Sequence, residues 1–266
     1  MNLHSICLSV QEIARQAGEY IWEQAKNFDR NKVEQKGKHD FVSYVDINAE
    51  KMIVENLSKV LPEAGFITEE NTKSTDTGKT LNWIIDPLDG TTNFIHGFSP
   101  HAVSIALSDN SEIILGVVYE IGAKECFYAT KGNGAFLNGK KIEVSKTADL
   151  QNSLIATGFP FKEFHRINEF SRTLDYLMRN TSGIRRLGSA ATDLVYVACG
   201  RFDAYYEYNI NAWDVAAGSL IVKESGGRVV DFSGGENYIF GREIIAVNEG
   251  LSTEFQGIIK NIMCEK

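Results

Sequence analysis

Apolar residues recur at helical spacing from the start of the chain. Leu3, Ile6, Val10, Ile13, Ala17 and Ile21 share one face, with polar residues between them, and predict an amphipathic helix over about Ser5 to Ala25. The polar interruptions are unlike the continuous apolar stretch of a secretion signal. A polar, basic segment, Asn27 to His39, follows and reads as a strand and a mobile loop loosened by Gly37. A second helix is expected over Ile47 to Leu61, where Ala49, Met52, Ile53, Leu57 and Val60 line one side, with Asp46 just before it. The pattern then turns β-like. Ala64 to Thr68 reads as a short strand and Asn82 to Ile85 as a buried one that Pro87 ends. Ala102 to Leu107, Ile113 to Tyr119 and Glu125 to Thr130 are further strands. Asp109-Asn110 and Gly132-Asn133-Gly134 supply turns, and Asn138-Gly139 is a strong hairpin signal.

From Ser153 strands alternate with helices: Leu154 to Thr157, a helix near Phe164 to Met178, Gly183 to Leu187, a helix over Ser189 to Cys199 stopped by Gly200, and Asp203 to Tyr208. A helix over Trp213 to Glu224 ends at Gly226-Gly227. Strands at Arg228 to Asp231 and Glu243 to Val247 and a last helix from about Leu251 complete the chain. The order predicts an α+β layered sandwich in one compact unit, 1–266: an N-terminal half, 1–150, with an antiparallel sheet, and a C-terminal α/β half, 151–266. Four scattered prolines, no low-complexity tract and no solenoid-length repeat leave no linker between the halves.

Charge and cysteine usage narrow the function classes. A formal charge of −8 disfavours a nucleic-acid surface, which needs clustered Lys and Arg, so a phosphate-binding role would have to recruit cations. No apolar run approaches a membrane span. Cys7, Cys126, Cys199 and Cys264 lie far apart, without zinc-site spacing, and are expected to be free buried thiols of a cytoplasmic protein. His4, His39, His96, His101 and His165 match no triad or metal spacing, and Ser99, Ser153 and Ser189 lack a nucleophile elbow.

The chemistry is concentrated in Trp83-Ile84-Ile85-Asp86-Pro87-Leu88-Asp89-Gly90-Thr91-Thr92-Asn93-Phe94. Two ionised carboxylates about 4 Å apart repel by roughly 4 kcal/mol at an effective dielectric of 20, so Asp86 and Asp89 invite a cation between them. Hard oxygens suit Mg²⁺, Mn²⁺ or Ca²⁺ rather than zinc, and the carbonyl of Leu88 is a further candidate ligand. Gly90, Thr91 and Thr92 open a helix whose N–H groups could hold a phosphate. Taken alone, each residue has an ordinary reading. Asp-Pro and Asp-Gly are turn dipeptides, Asp46 and Asp214 suit helix N-termini, Glu69-Glu70 reads as solvated charge, and Glu207 as a sheet-edge acid.

The string Asp86 to Phe94, with Thr68-Glu69-Glu70 upstream and Ala212-Trp213-Asp214-Val215-Ala216-Ala217-Gly218 downstream, resembles the inositol monophosphatase family in order and spacing. Gln35 to Asp46 and Gly188-Ser189-Ala190 extend the likeness over essentially the whole chain. The resemblance implies an αβαβα sandwich, a homodimer, and a lithium-sensitive, Mg²⁺-dependent phosphatase for a small phosphorylated substrate such as inositol monophosphate. By the same resemblance Glu69, with Glu70 its neighbour, Asp86, the Leu88 carbonyl, Asp89 and Asp214 hold two Mg²⁺, with a third near Glu69. Thr91 and Asp46 align the attacking water, Gly90 to Thr92 bind phosphate, Ala190 and Glu207 meet the alcohol, and Lys36 approaches from the mobile loop. A 3′-phosphonucleotide phosphatase usually carries Lys or Arg with an acid where this chain has Thr92-Asn93, which favours the inositol branch. A fructose-bisphosphate phosphatase shares the metal motif, and a regulatory protein-binding role is the rival of a different class.

Overall fold

The computed structural model describes residues 1–28, 34–37, 40–73, 79–160 and 163–264, without the side chains of 34–37 and 40–42. Helix α1 (Leu3–Ala25) is capped by Asn2 and buries Val10, Ala14, Ala17 and Ile21, the face that the spacing predicts. A two-stranded antiparallel ribbon, β1 (Glu34–Gly37) and β2 (Asp40–Val42), leads into α2 (Tyr44–Val60). This helix begins three residues earlier than its apolar face suggests, because Ser43 is the N-cap and Asp46, expected ahead of the helix, is inside its first turn. Both helices pack on one face of a seven-stranded sheet, around Trp83, Ile85, Val103, Ile105, Leu115 and Val117.

That sheet runs in sequence order: β3 (Gly65–Thr68), β4 (Leu81–Asp89), β5 (Ala102–Asp109), β6 (Glu112–Glu120), β7 (Glu125–Thr130), β8 (Ala135–Leu137) and β9 (Lys140–Ile142). From β4 onward every pair is antiparallel, while β3 lies parallel to β4. Asn138 and Gly139 form the hairpin turn between β8 and β9, both with positive φ, 48° and 81°.

Pro87 does not end its strand. β4 continues to Asp89, and in its pairing with β5 Asp86 faces Ser104 while Asp89 faces Ala102. Two residues of β4, Pro87 and Leu88, therefore oppose one residue of β5, which is a β-bulge. Proline is tolerated there because no ladder donor is required. The bulge has a consequence for the side chains. Residues three apart in a regular strand point to opposite faces, and the extra residue brings Asp86 and Asp89 to the same one.

After the short helix α3 (Thr91–His96) and the strands of the first sheet, β10 (Leu154–Thr157), α4 (Ile167–Asn180), β11 (Gly183–Arg185), α5 (Ala190–Ala198), β12 (Ala204–Tyr208), α6 (Ala212–Glu224), β13 (Arg228–Val230), β14 (Glu243–Val247) and α7 (Ser252–Met263) follow. A five-stranded mixed sheet has the order β11-β10-β12-β14-β13. Helices α5 and α6 lie between the two sheets, and α4 and α7 cover the outer face of the second, giving the layers αβαβα. The inner face of the first sheet is made of small residues, Ala102, Ala106 and Gly116, so α6 comes close. A Cβ on Gly116 would stand 2.6 Å from the Ala217 carbonyl oxygen. The cysteines are all free, yet among the described residues Cys7 alone is buried, and Cys264 is exposed rather than buried as expected.

Candidate active site

Asp86, Asp89 and Asp214 each place a carboxylate oxygen within 4.8 Å of the others. Asp86 and Asp89 come from the bulge of β4, and Asp214 is the third residue of α6. One oxygen of Asp214 accepts the N–H of Asn211 at 2.7 Å, so the cap reading is correct for that atom. Two oxygens on one carboxylate serve two purposes. Asp86 Oδ1 likewise accepts the Leu88 N–H at 2.9 Å, holding the bulge in shape. Asp89 Oδ2 accepts the Ser189 hydroxyl at 2.6 Å and the Ala191 N–H at 2.7 Å, which ties the first sheet to the start of α5.

Burial and mutual repulsion disfavour charge on this cluster. The Asp86 carboxyl is pushed well above the ordinary carboxylate range by desolvation and by the neighbouring Glu69, Asp89 and Asp214. Asp89 is raised to about 6 by burial, against its hydrogen bonds to Ser189 and the α5 backbone. Asp214 rises to about 7 through burial and the charge of Asp89. Glu69 lines the same cavity, at the end of β3, and its N–H donates to the Ile85 carbonyl at 3.3 Å. The N–H of its neighbour Glu70 donates to Glu50 at 2.7 Å. Glu50, fully buried on α2, also accepts the N–H and hydroxyl of Thr72, at 2.8 and 2.7 Å, and so fixes the turn that carries Glu69. Nothing in its sequence surroundings marks Glu50 for that task.

Thr91 and Asp46 meet across the site. The Thr91 hydroxyl is 3.0 Å from both Asp46 Oδ1 and the Leu88 carbonyl oxygen. Asp46 Oδ2 accepts the Ser43 N–H at 2.9 Å and its hydroxyl at 2.6 Å, leaving Oδ1 for Thr91. Burial lifts the Asp46 carboxyl above its ordinary range. Gly90 has φ of 90°, and a Cβ there would stand 3.1 to 3.3 Å from the Gly188 and Pro100 carbonyls and His101, so the turn into α3 requires glycine. Thr91 and Thr92 then open α3 at the cavity wall.

The cavity holds about 430 Å³ and is lined by Glu69, Asp86, Asp89, Thr91, Ala190, Glu207 and Asp214 among others. Alternation along β12 sends Tyr206 and Tyr208 to the outer layer and Tyr205 and Glu207 inward. The Tyr205 hydroxyl donates to Glu207 Oε2 at 2.5 Å. Burial nevertheless raises Glu207 to about 8, helped by the charge of Asp214. Lys36 falls in β1, where its side chain lies outside the described ones.

Three lining residues escape a reading of the sequence alone. Asp193 on α5 is buried, and its Oδ1 has no hydrogen-bond partner. Desolvation, Glu207 and Asp89 hold its carboxyl well above the ordinary range. Its signal was a single charge in the apolar run Ala190 to Ala198. Arg186 stands at the rim over the Phe159 ring, 5.6 Å from its centroid, and counters the charge of Asp89 and Glu207. Gly158 lies directly beneath Glu207. The last two carry no local pattern.

A described cluster of oxygens with no imidazole or thiolate in it fits a hard divalent cation such as Mg²⁺. The model of the inositol monophosphatase family matches residues 3–264. The Escherichia coli K12 protein named Nus factor SuhB is 41% identical over 246 residues, 92% of each chain. The crystal structure of the extragenic suppressor protein SuhB from Bartonella henselae superposes with a TM-score of 0.91 at 39% identity, over 96% of this chain and 98% of that one. An IMPase from Thermotoga maritima gives 0.86 at 36% identity, over 95% of both. With the match running almost end to end, and with the fold shared, the chain belongs to the inositol monophosphatase family.

Proposed function

We propose that the protein is a Mg²⁺-dependent phosphomonoesterase for inositol monophosphate or a similar small cyclitol or sugar phosphate. The observation that carries this reading is the β4 bulge, which turns Asp86 and Asp89 toward Asp214 in a cavity walled by Thr91 and Glu207. Glu69, Asp86, the Leu88 carbonyl, Asp89 and Asp214 would hold two Mg²⁺. Bound there, the ions supply Lewis-acid stabilisation of the phosphoryl oxygens and acidify the attacking water. The chain does the rest. Thr91 gives its hydroxyl proton to Asp46 Oδ1 as a hydrogen bond, so its oxygen lone pairs face the cavity to take up the water's proton, which Asp46 can then share. Ser43 keeps Asp46 from turning away. N–H groups at Gly90, Thr91 and Thr92 bind the phosphate, and Glu207 and the backbone at Ala190 receive the alcohol hydroxyls.

Once ionised, Glu207 at the alcohol side repels a second phosphate, which supports monophosphates over bisphosphates as substrates. Thr92-Asn93 weighs against the 3′-phosphonucleotide branch. Phosphate release from myo-inositol 1-phosphate, fructose 1,6-bisphosphate and a 3′-phosphonucleotide, with Mg²⁺ and with EDTA, tests the proposal. Turnover that survives complete metal removal would sink it.

A second reading stands beside the first. Relatives at 41% identity are named Nus factor SuhB, which supports a regulatory protein-binding role, the rival that the sequence also offered, beside phosphate release. Its test is retention of partner binding in a variant that has lost phosphate release.

A further inference from the structure

Gly158 follows β10 and lies on the cavity wall, buried. Its backbone φ is outside the left-handed region, so an alanine would meet no backbone strain. Its exclusion has a single source. The three heavy atoms nearest to a Cβ built on Gly158 are Cδ, Oε1 and Oε2 of Glu207, all well inside van der Waals contact. The carboxylate lies flat against the glycine in the volume a methyl group would fill. Its Oε2 accepts the Tyr205 hydroxyl at 2.5 Å, with the acids Asp193 and Asp214 and the guanidinium of Arg186 also acting on it. The half-buried acid therefore meets the glycine on one side and opens onto the cavity on another.

We propose that Gly158 is a specificity-positioning residue, whose missing side chain forms the slot that holds the Glu207 carboxylate toward the alcohol half of the substrate. The proposal rests on the phosphatase reading above for its substrate and on geometry for its slot. A side chain at 158 displaces the carboxylate first, because the three atoms nearest to its Cβ all belong to Glu207 and none to Asp86, Asp89 or Thr91. The result is a loss of discrimination between a polyol phosphate and a phosphate without hydroxyls.

The test is a double-mutant cycle of Gly158→Ala and Glu207→Ala, read with myo-inositol 1-phosphate and 4-nitrophenyl phosphate and by thermal melting. In the wild-type background Gly158→Ala should lower the ratio of kcat/KM for the two substrates by about 10-fold or more, the scale of one hydrogen bond to a charged group. With Glu207 already alanine, adding Gly158→Ala should change the ratio by less than about 2-fold, since the slot is empty. The melting temperature should follow the same rule, falling with Gly158→Ala alone and recovering in the double variant relative to additivity. Additive effects on both readouts would overturn the proposal and make Gly158 a packing residue. If the wild type hydrolyses neither phosphate with Mg²⁺, the phosphatase reading fails, and the melting cycle still decides whether Glu207 occupies the slot.

Discussion

Asp46 and Asp214 each stand third in a helix and cap it; Asp46 caps with Oδ2 and gives Oδ1 to Thr91, while Asp214 caps with one oxygen and also places a carboxylate oxygen in the acidic cluster. Capping and a place at the cavity compete as readings of a sequence, yet one carboxylate has oxygens enough for both. The motif acids were therefore legible as candidate ligands or as caps, with no local feature to say that one carboxylate could serve as both. Asp193 and Arg186 were not legible, since each acts through a neighbour brought from another element. The division yields a prediction. Asp89→Asn and Asp214→Asn should each lower kcat for phosphate release by at least about 10²-fold, as expected when a preorganised charge-stabilising group is lost. The asparagine amides keep one acceptor oxygen and remove one charge from a repulsive set, so the melting temperature in EDTA should hold or rise. A large fall in melting temperature with kcat intact would return both residues to purely structural duty.

The central strands of the first sheet were readable as short apolar runs between turn residues, buried on both faces, and Asn138-Gly139 allows almost no other turn. The bulge at Pro87 and Leu88 was not, because proline in a short apolar run signals a strand end as readily as a bulge, and the partner strand decides. A similar dependence governs α6, where residues 215–222 are all buried, so no amphipathic face reports which layer it occupies. Its depth is set by Gly116 on β6, against the Ala217 backbone. Gly116→Ala should cost about 1–3 kcal/mol of stability, typical of overpacking against backbone that has nowhere to move, seen as a lower denaturant midpoint at unchanged slope. Because α6 also carries Asp214, the same variant should lose phosphate release in the folded state. An unchanged midpoint would mean that the sheet, and not the helix, sets the spacing. On the opposite layer, Glu50→Ala should remove three acceptor contacts from the turn after Glu69 and weaken Mg²⁺ activation, measured as a higher Mg²⁺ concentration for half-maximal rate.

At the scale of the whole molecule, five layers press acids from β4, β12, α5 and α6 into one cavity, in a chain that already carries a charge of −8. The order of elements pointed to a layered α+β sandwich and the family resemblance to its αβαβα order, whereas the convergence depends on which ends face each other and is visible only in three dimensions. It couples metal, protons and stability. Asp89 is raised to about 6, Asp214 to about 7 and Glu207 to about 8, each chiefly by burial, from ordinary values of 3.8, 3.8 and 4.5. Between those ordinary values and the raised ones, the metal-free folded protein holds protons that the unfolded chain has released. Stability from this source is fully present below about pH 4 and is lost as pH climbs through about 6 to 8. Hard cations take the place of those protons and bind best where the protons are easiest to lose. The melting temperature in EDTA should therefore fall from pH 5 to pH 8, while the upward shift produced by excess Mg²⁺ should grow over the same interval. Melting curves in EDTA and in Mg²⁺ at steps across that range separate the two trends. A Mg²⁺ shift as large at pH 5 as at pH 8 would mean that the cation binds without displacing protons, and would move it out of the Asp86, Asp89 and Asp214 cluster.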